Sequence, residues 1–179
     1  MNNIRIQKKG ITQMEVDAIV NAANEGLWEG GGVCGAIFRE AGSKELTAAC
    51  QAIGGCKTGS AVITPAFKLP AKYIIHAVGP RWNGGDNGEE EQLYGAYAAS
   101  LKLAKENDCH SIAFPVISAG IFGYPKKEAW RVAVQACHDF IMKNQVYDIS
   151  IFFAVLDSEM MDLGGEALEE IAGEMSFPG

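Results

Sequence analysis

Residues 21–42 read NAANEGLWEGGGVCGAIFREAG. Six glycines fall among these 22 residues, three of them consecutive from Gly30 to Gly32, and a helical pattern starts at Val33. Glycine is the residue that lets backbone come close to another group. A helix N-terminus carries unpaired N–H donors and partial positive charge, and consecutive glycines can fold into a nest of amides. The run before this stretch, VDAIVNA, is compact and apolar like a buried strand. The unit is therefore strand, glycine-rich loop, helix, which is an arrangement suited to an anion.

The same unit recurs. SIAFPVI reads as a strand, SAGIFGYP (Ser118–Pro125) as a glycine-rich loop, and Pro125 sits like the first residue of a helix. That helix carries Ala129, Val132, Ala133, Ala136 and Phe140 on one stripe. Two such loops at one sheet edge suit a diphosphate. Neither contains Lys or Arg, so recognition would rest on neutral amides. Glycines also simply make turns, and for either loop alone a turn is the better explanation.

Working outward, NIRIQ, SAVITPA, KYIIHAVGP and DISIFFAVL read as strands. Helical patterns cover residues 33–41, 44–53, 89–107 and about 162–171, and GPRWNGGDNGEEE is a loop. Strands alternating with helices imply an α/β sandwich, a mostly parallel sheet with helices on both faces. Such sheets bind ligands beyond the carboxyl ends of their strands. The 179 residues suit one domain, 1–179, with neither linker nor repeat.

The net charge of −7 denies the chain the basic field that recruits phosphate polymers, which speaks against direct nucleic-acid binding. No apolar run approaches the ~20 residues of a bilayer span, and MNNIRIQKKG has no signal-peptide core, so a cytoplasmic protein is expected. Five scattered cysteines without C-x-x-C spacing read as reduced thiols, and no cofactor or metal is expected. Gly30, Gly32 and Gly35 match G-x-G-x-x-G, but eight residues separate Asn21 from Gly30, and no Asp or Glu occurs between Leu46 and Lys72. A dinucleotide-dehydrogenase fingerprint needs the glycines immediately after the strand and an acidic residue about 20 residues on. His76 inside KYIIHAVGP reads as structural, and Glu89-Glu90-Glu91 as a solvated helix start.

VDAIVNAAN, GGGVCGAIFREAG, CKTGSAVIT, LPAKYIIHAVGP and SIAFPVISAGIFGYP, in this order, resemble a macro domain. The nearest branch holds the bacterial O-acetyl-ADP-ribose deacetylases and MacroD-type ADP-ribosyl hydrolases. The resemblance runs over roughly residues 3–157. It implies a three-layer α/β/α sandwich around a mixed, mostly parallel sheet, with ADP-ribose, free or attached to protein, in a cleft at the strand ends. Gly30, Gly31, Gly32 and Val33 would face Ser118, Ala119, Gly120, Ile121 and Phe122 across the diphosphate. Asn24 would hydrogen-bond the distal ribose, Asn21 would shape the site, and Ile11 and Leu156 are further ligand-lining candidates.

Departures from the family pattern bear on chemistry. The family's G-V-D-G-A-I-H is here Gly32-Val33-Cys34-Gly35-Ala36-Ile37-Phe38, so Cys34 replaces the Asp that positions or activates water, and Phe38 replaces the His. A thiol is a poor base until ionised. At a helix start it can become a thiolate, whereas a small apolar side chain beside the ligand is the plainer reading. Glu29 stands where relatives often carry another glycine. The adenine-binding Asp of G-D-I-T is Gly10, and Leu156 occupies the position of an aromatic that can stack on adenine. Two functions compete. One is an ADP-ribose binding module with weakened or absent hydrolysis. The other is a hydrolase of acyl or ADP-ribosyl esters working through Asn24, substrate-assisted water activation and Cys34.

Overall fold

The computed structural model describes residues 3–176. Six strands, β1 (Ile4–Lys8), β2 (Ala18–Ala22), β3 (Ala61–Pro65), β4 (Tyr73–Ala77), β5 (Ser111–Phe114) and β6 (Ser150–Val155), form one sheet in the order β1-β6-β5-β2-β4-β3. Every pairing is parallel except β3 with β4. The sheet is the mixed, mostly parallel one expected.

Strand periodicity explains the layers. Along β2, Ala18 and Val20 point to one face and Ile19 to the other, and Ile75 and Ile74 of β4 divide in the same way. The first face packs under α3 (Glu89–Glu106), α4 (Lys126–Lys143) and α5 (Ser158–Ser176), and the second under α1 (Gly32–Ala41) and α2 (Ser43–Ile53). Strands buried on both sides read as continuous apolar runs for this reason. Tyr97 of α3 joins Phe114 and Phe153 in an aromatic stack with centroids 5.1–6.2 Å apart, contacts worth about 0.5–1.5 kcal/mol each beyond simple burial.

Three of the boundaries that differ from the sequence expectations have a clear local cause. β5 stops at Phe114 because Pro115 has no N–H to extend the ladder. Pro125 is the cap before α4 rather than its first residue: its ψ of 129° is extended, and its carbonyl accepts from Ala129 N at 2.8 Å. α5 begins four residues earlier than expected, since Asp157 caps it through Oδ1 to Met160 N at 2.8 Å.

Candidate functional site

β2 and β5 are neighbours, and their chains leave the sheet in opposite directions. After β2 the path runs through α1, α2 and β3 to β4 on one side, and after β5 through α4 to β6 on the other. This is a topological switch point, where a crevice opens at the carboxyl ends. The two glycine-rich loops start from these two strand ends, loop 1 over residues 23–31 and loop 2 over residues 115–125.

Loop 1 is held by its own side chains. Asn24 Oδ1 accepts from Trp28 N at 3.1 Å and its Nδ2 donates to Trp28 O at 3.0 Å, so one amide closes the Asn24–Trp28 turn. A second N–H and further lone pairs on that amide stay free for a ligand. Glu25 ties the loop to the segment after α2, accepting from both Thr58 N and Thr58 Oγ1 at 3.1 Å. Cys34, 8% exposed in the first turn of α1, directs its Sγ at Trp28 O, 3.9 Å away. A Cβ on Gly30 would lie 3.6 Å from that sulfur and 3.7 Å from Asn24 Nδ2. Gly30, Cys34 and Asn24 therefore meet at one point. Phe38 is turned away into the core between sheet and α1.

Loop 2 is anchored by the segment that follows β4. Ser118, at φ +68°, donates its hydroxyl to Pro80 O at 2.7 Å, and its own carbonyl accepts from Tyr124 N at 2.9 Å. Trp82 N donates to Phe122 O at 2.8 Å. Arg81, from the segment after β4, places its guanidinium 4.5 Å from the centroid of the Phe122 ring. Neither loop contains a cation of its own, and the fold brings this one onto loop 2. Sequence reasoning passed over it, because its position on a long surface loop gave no sign of what it faces. Ala119 is half-buried, Gly120 exposed, and Ile121 87% exposed.

The glycines divide into two kinds. Gly32 and Gly123 have φ of +55° and +76°, a conformational need, and a Cβ on Gly35 would meet Gly30 O at 2.6 Å. Gly31 has an ordinary φ of −90°, Gly120 has no positive φ, and a Cβ on either would meet nothing within 4 Å. Turn geometry and internal packing account for the first kind and leave the second unexplained.

Other candidates lie at varied depths. Asn21 is 1% exposed, donates Nδ2 to His76 Nδ1 at 3.1 Å, and leaves Oδ1 without a partner. His76 is fully buried, meets Thr64 Oγ1 at 3.0 Å, and burial lowers its pKa to about 4, so the ring is neutral. The pair props the end of β2 from beneath. Ile11 is 7% exposed, with its side chain in the core. Leu156 is 70% exposed at the end of β6, and Trp28 is 65% exposed. Among the described residues, eight large apolar side chains are left exposed, and four of them, Trp28, Val33, Ile121 and Leu156, follow strand ends. Gly10 precedes a 3-10 turn, Ile11–Gln13, with an ordinary φ of −64°.

Glu89 corrects the expectation of a solvated acidic run. It is 2% exposed and accepts from Asn83 N, Gly85 N and Asn87 N at 2.6–2.9 Å. Burial pushes its carboxyl pKa up, but these backbone donors outweigh it and the net shift is downward. Among the described residues no cluster of three metal-ligating side chains occurs, and no helix is long and apolar enough to cross a membrane.

Known proteins with this architecture share the sequence as well. The macro domain family model matches residues 20–133. A protein of Salmonella typhimurium named O-acetyl-ADP-ribose deacetylase is 47% identical over 173 residues, covering 94% of this chain and 96% of its own. A macro domain-containing protein of Mesorhizobium japonicum is 47% identical over 163 residues, covering 91% and 92%. The Oceanobacillus iheyensis macrodomain with ADP superposes with a TM-score of 0.87 at 37% identity, covering 94% of this chain and 91% of that one. The Trypanosoma brucei macrodomain in complex with ADP-ribose gives 0.86 at 33%, covering 93% and 69%. With its fold, its paired loops and nearly its whole length matched in this way, the chain belongs to the macro domain family.

Proposed function

We propose that the cleft between loops 1 and 2 binds ADP-ribose or a close derivative, free or attached to protein, and that hydrolysis there is weakened or absent. The observation that carries the binding is the open space over Gly31 and Gly120. Their backbone does not need glycine and their surroundings do not, so the absent side chains leave room for something outside the chain. The amides at the start of α1 supply donors for a diphosphate, and Arg81 beside Phe122 supplies positive charge. Asn24 holds a free amide N–H toward the distal ribose, while Ile121 and Leu156 offer apolar cover.

The weakened hydrolysis follows from position 34. A carboxylate there could orient and activate water, a contribution of about 10²–10⁴ for general acid–base catalysis. Cys34 is enclosed and directed at Trp28 O instead. The competing reading, an active ester hydrolase, is favoured by relatives named O-acetyl-ADP-ribose deacetylase at 45–47% identity. In that case water adds to the acyl carbon, the bond from that carbon to the ribose oxygen breaks, and the ribose oxygen takes up a proton. Calorimetry with ADP-ribose beside an acetate-release assay separates the two: heat without acetate supports the binding module, and both together support the hydrolase.

A further inference from the structure

A second concavity, of about 300 Å³, opens in the α3–α4–α5 layer and meets loop 2 only at Tyr124. That volume is at the bottom of the range for small-molecule sites, room for an amino-acid-sized group rather than a nucleotide. Three aromatic side chains line it: Trp82, Tyr94 and Tyr124. They are held in place beforehand. Trp82 and Tyr124 pack with centroids 4.7 Å apart at 59°, Tyr94 donates its hydroxyl to Asp139 at 2.6 Å, and the backbone of Gly85 lies against the Trp82 ring. The segment around Gly85 is itself fixed by the buried carboxylate of Glu89.

The charge at this groove is one-sided. Arg131 lines it, but its guanidinium is tied to Glu170 and Glu174 of α5, each at 3.3 Å. Glu90 and Glu128 line it too, and neither has an ion pair among the described residues. Their carboxylates act on Tyr124, whose pKa is raised by burial first and by Glu90, Glu89 and Glu128 next. Aromatic rings that line a groove beside unpaired carboxylates attract organic cations, because a cation is drawn to the ring while its head meets negative charge. A nucleotide phosphate would be repelled, and a metal ion would find aromatic carbon where it needs oxygen.

We propose that this groove binds an alkylammonium or alkylguanidinium group the size of a lysine or arginine side chain, its stem against Trp82, Tyr94 and Tyr124 and its head between Glu90 and Glu128. The groove stands independently of the ADP-ribose reading. Joined to that reading, it would hold a basic residue of the protein that carries the ADP-ribose in the cleft.

The test follows the Trp82 indole N–H by NMR, assigned with Trp82→Phe, during titration with N-acetyl-arginine amide and with its neutral counterpart N-acetyl-citrulline amide. A saturable shift with the arginine compound alone is expected, weakened at least tenfold in the Glu90→Gln/Glu128→Gln double variant and unchanged in Glu91→Gln. No saturable shift, an equal response to citrulline, or indifference to the double variant overturns the proposal. Thermal melting of each variant reports that it folds. Two mono-ADP-ribosylated peptides, one with Arg and one with citrulline, identify the source. A preference for Arg lost in the double variant supports a protein side chain, and no preference beside a saturating small amide supports a free cation in the same groove. ADP-ribose calorimetry runs in parallel: silence there overturns the ADP-ribose reading and leaves the groove result standing.

Discussion

Cys34 Sγ and Asn24 Nδ2 address the same acceptor, the carbonyl oxygen of Trp28, at 3.9 and 3.0 Å. The first turn of α1 is thus coupled to the turn that Asn24 closes. A thiol is a weak donor and the sulfur is long for a hydrogen bond, so Asn24 carries most of this closure. Cys34→Ala is expected to lower stability by about 1 kcal/mol, the lost packing of one small buried group. Asn24→Ala removes both bonds to Trp28, and faster amide exchange at Trp28 than in Cys34→Ala is the measurement that checks the ranking.

The glycine loops give a sharper contrast. Gly31→Ala places a methyl in open space on ordinary backbone, so stability should stay within about 0.5 kcal/mol while ADP-ribose affinity falls. Gly35→Ala drives a Cβ to 2.6 Å from Gly30 O, which cannot yield without moving loop 1. It should lose both stability, by about 1–3 kcal/mol, and binding. Denaturant melts beside calorimetry read the two quantities separately. A Gly31→Ala variant that binds as wild type would remove the main support for a phosphate at loop 1.

The family resemblance implies an adenine-binding Asp at the position that Gly10 occupies here. Its φ is −64°, and a Cβ there meets only the Gln13 side chain at 3.8 Å, so an Asp fits without strain. Gly10→Asp should tighten ADP-ribose binding by the worth of a buried hydrogen bond, about 1–3 kcal/mol. The hypoxanthine analogue, lacking the exocyclic amino group, should gain nothing. Equal gains for both would mean that residue 10 does not face the base.

Acid should unfold the protein partly through His76. Its folded pKa is lowered from 6.5 to about 4, so between those values the unfolded chain holds a proton that the fold refuses. Stability therefore rises with pH across this window and is lost as pH falls from 6.5 toward 4, on the order of 3 kcal/mol in all. His76→Gln should be less stable at pH 7, since Asn21 and Thr64 lose a fitted partner, and should show a shallower fall over the same window.

Much of the fold was legible because binary pattern and turn chemistry agree. Ala18 to Val20 are buried on both faces and read as an apolar run, and α1 to α4 start or end within about a residue of their sequence patterns. Local caps were less visible. Asp157 starts α5 through one side-chain bond, which no apolar periodicity announces. Glu89 sits in a run of three glutamates, and only the fold reveals that this one turns inward onto three amides while Glu90 and Glu91 face solvent. In the site, the two loops were legible from their glycines. The approach of Arg81 to Phe122 and the meeting of Cys34 with Asn24 depend on distant strands and loop closure, which spacing along the chain does not encode.

The most direct measurement is acetate release from O-acetyl-ADP-ribose by wild type and by Cys34→Asp, with ADP-ribose calorimetry on both. A binding module at the cleft predicts heat from both proteins, with release by Cys34→Asp faster than wild type by about 10²-fold or more. Release by wild type as fast as by Cys34→Asp, with similar binding, would contradict it and return catalysis to Asn24, Cys34 and the substrate's own phosphate.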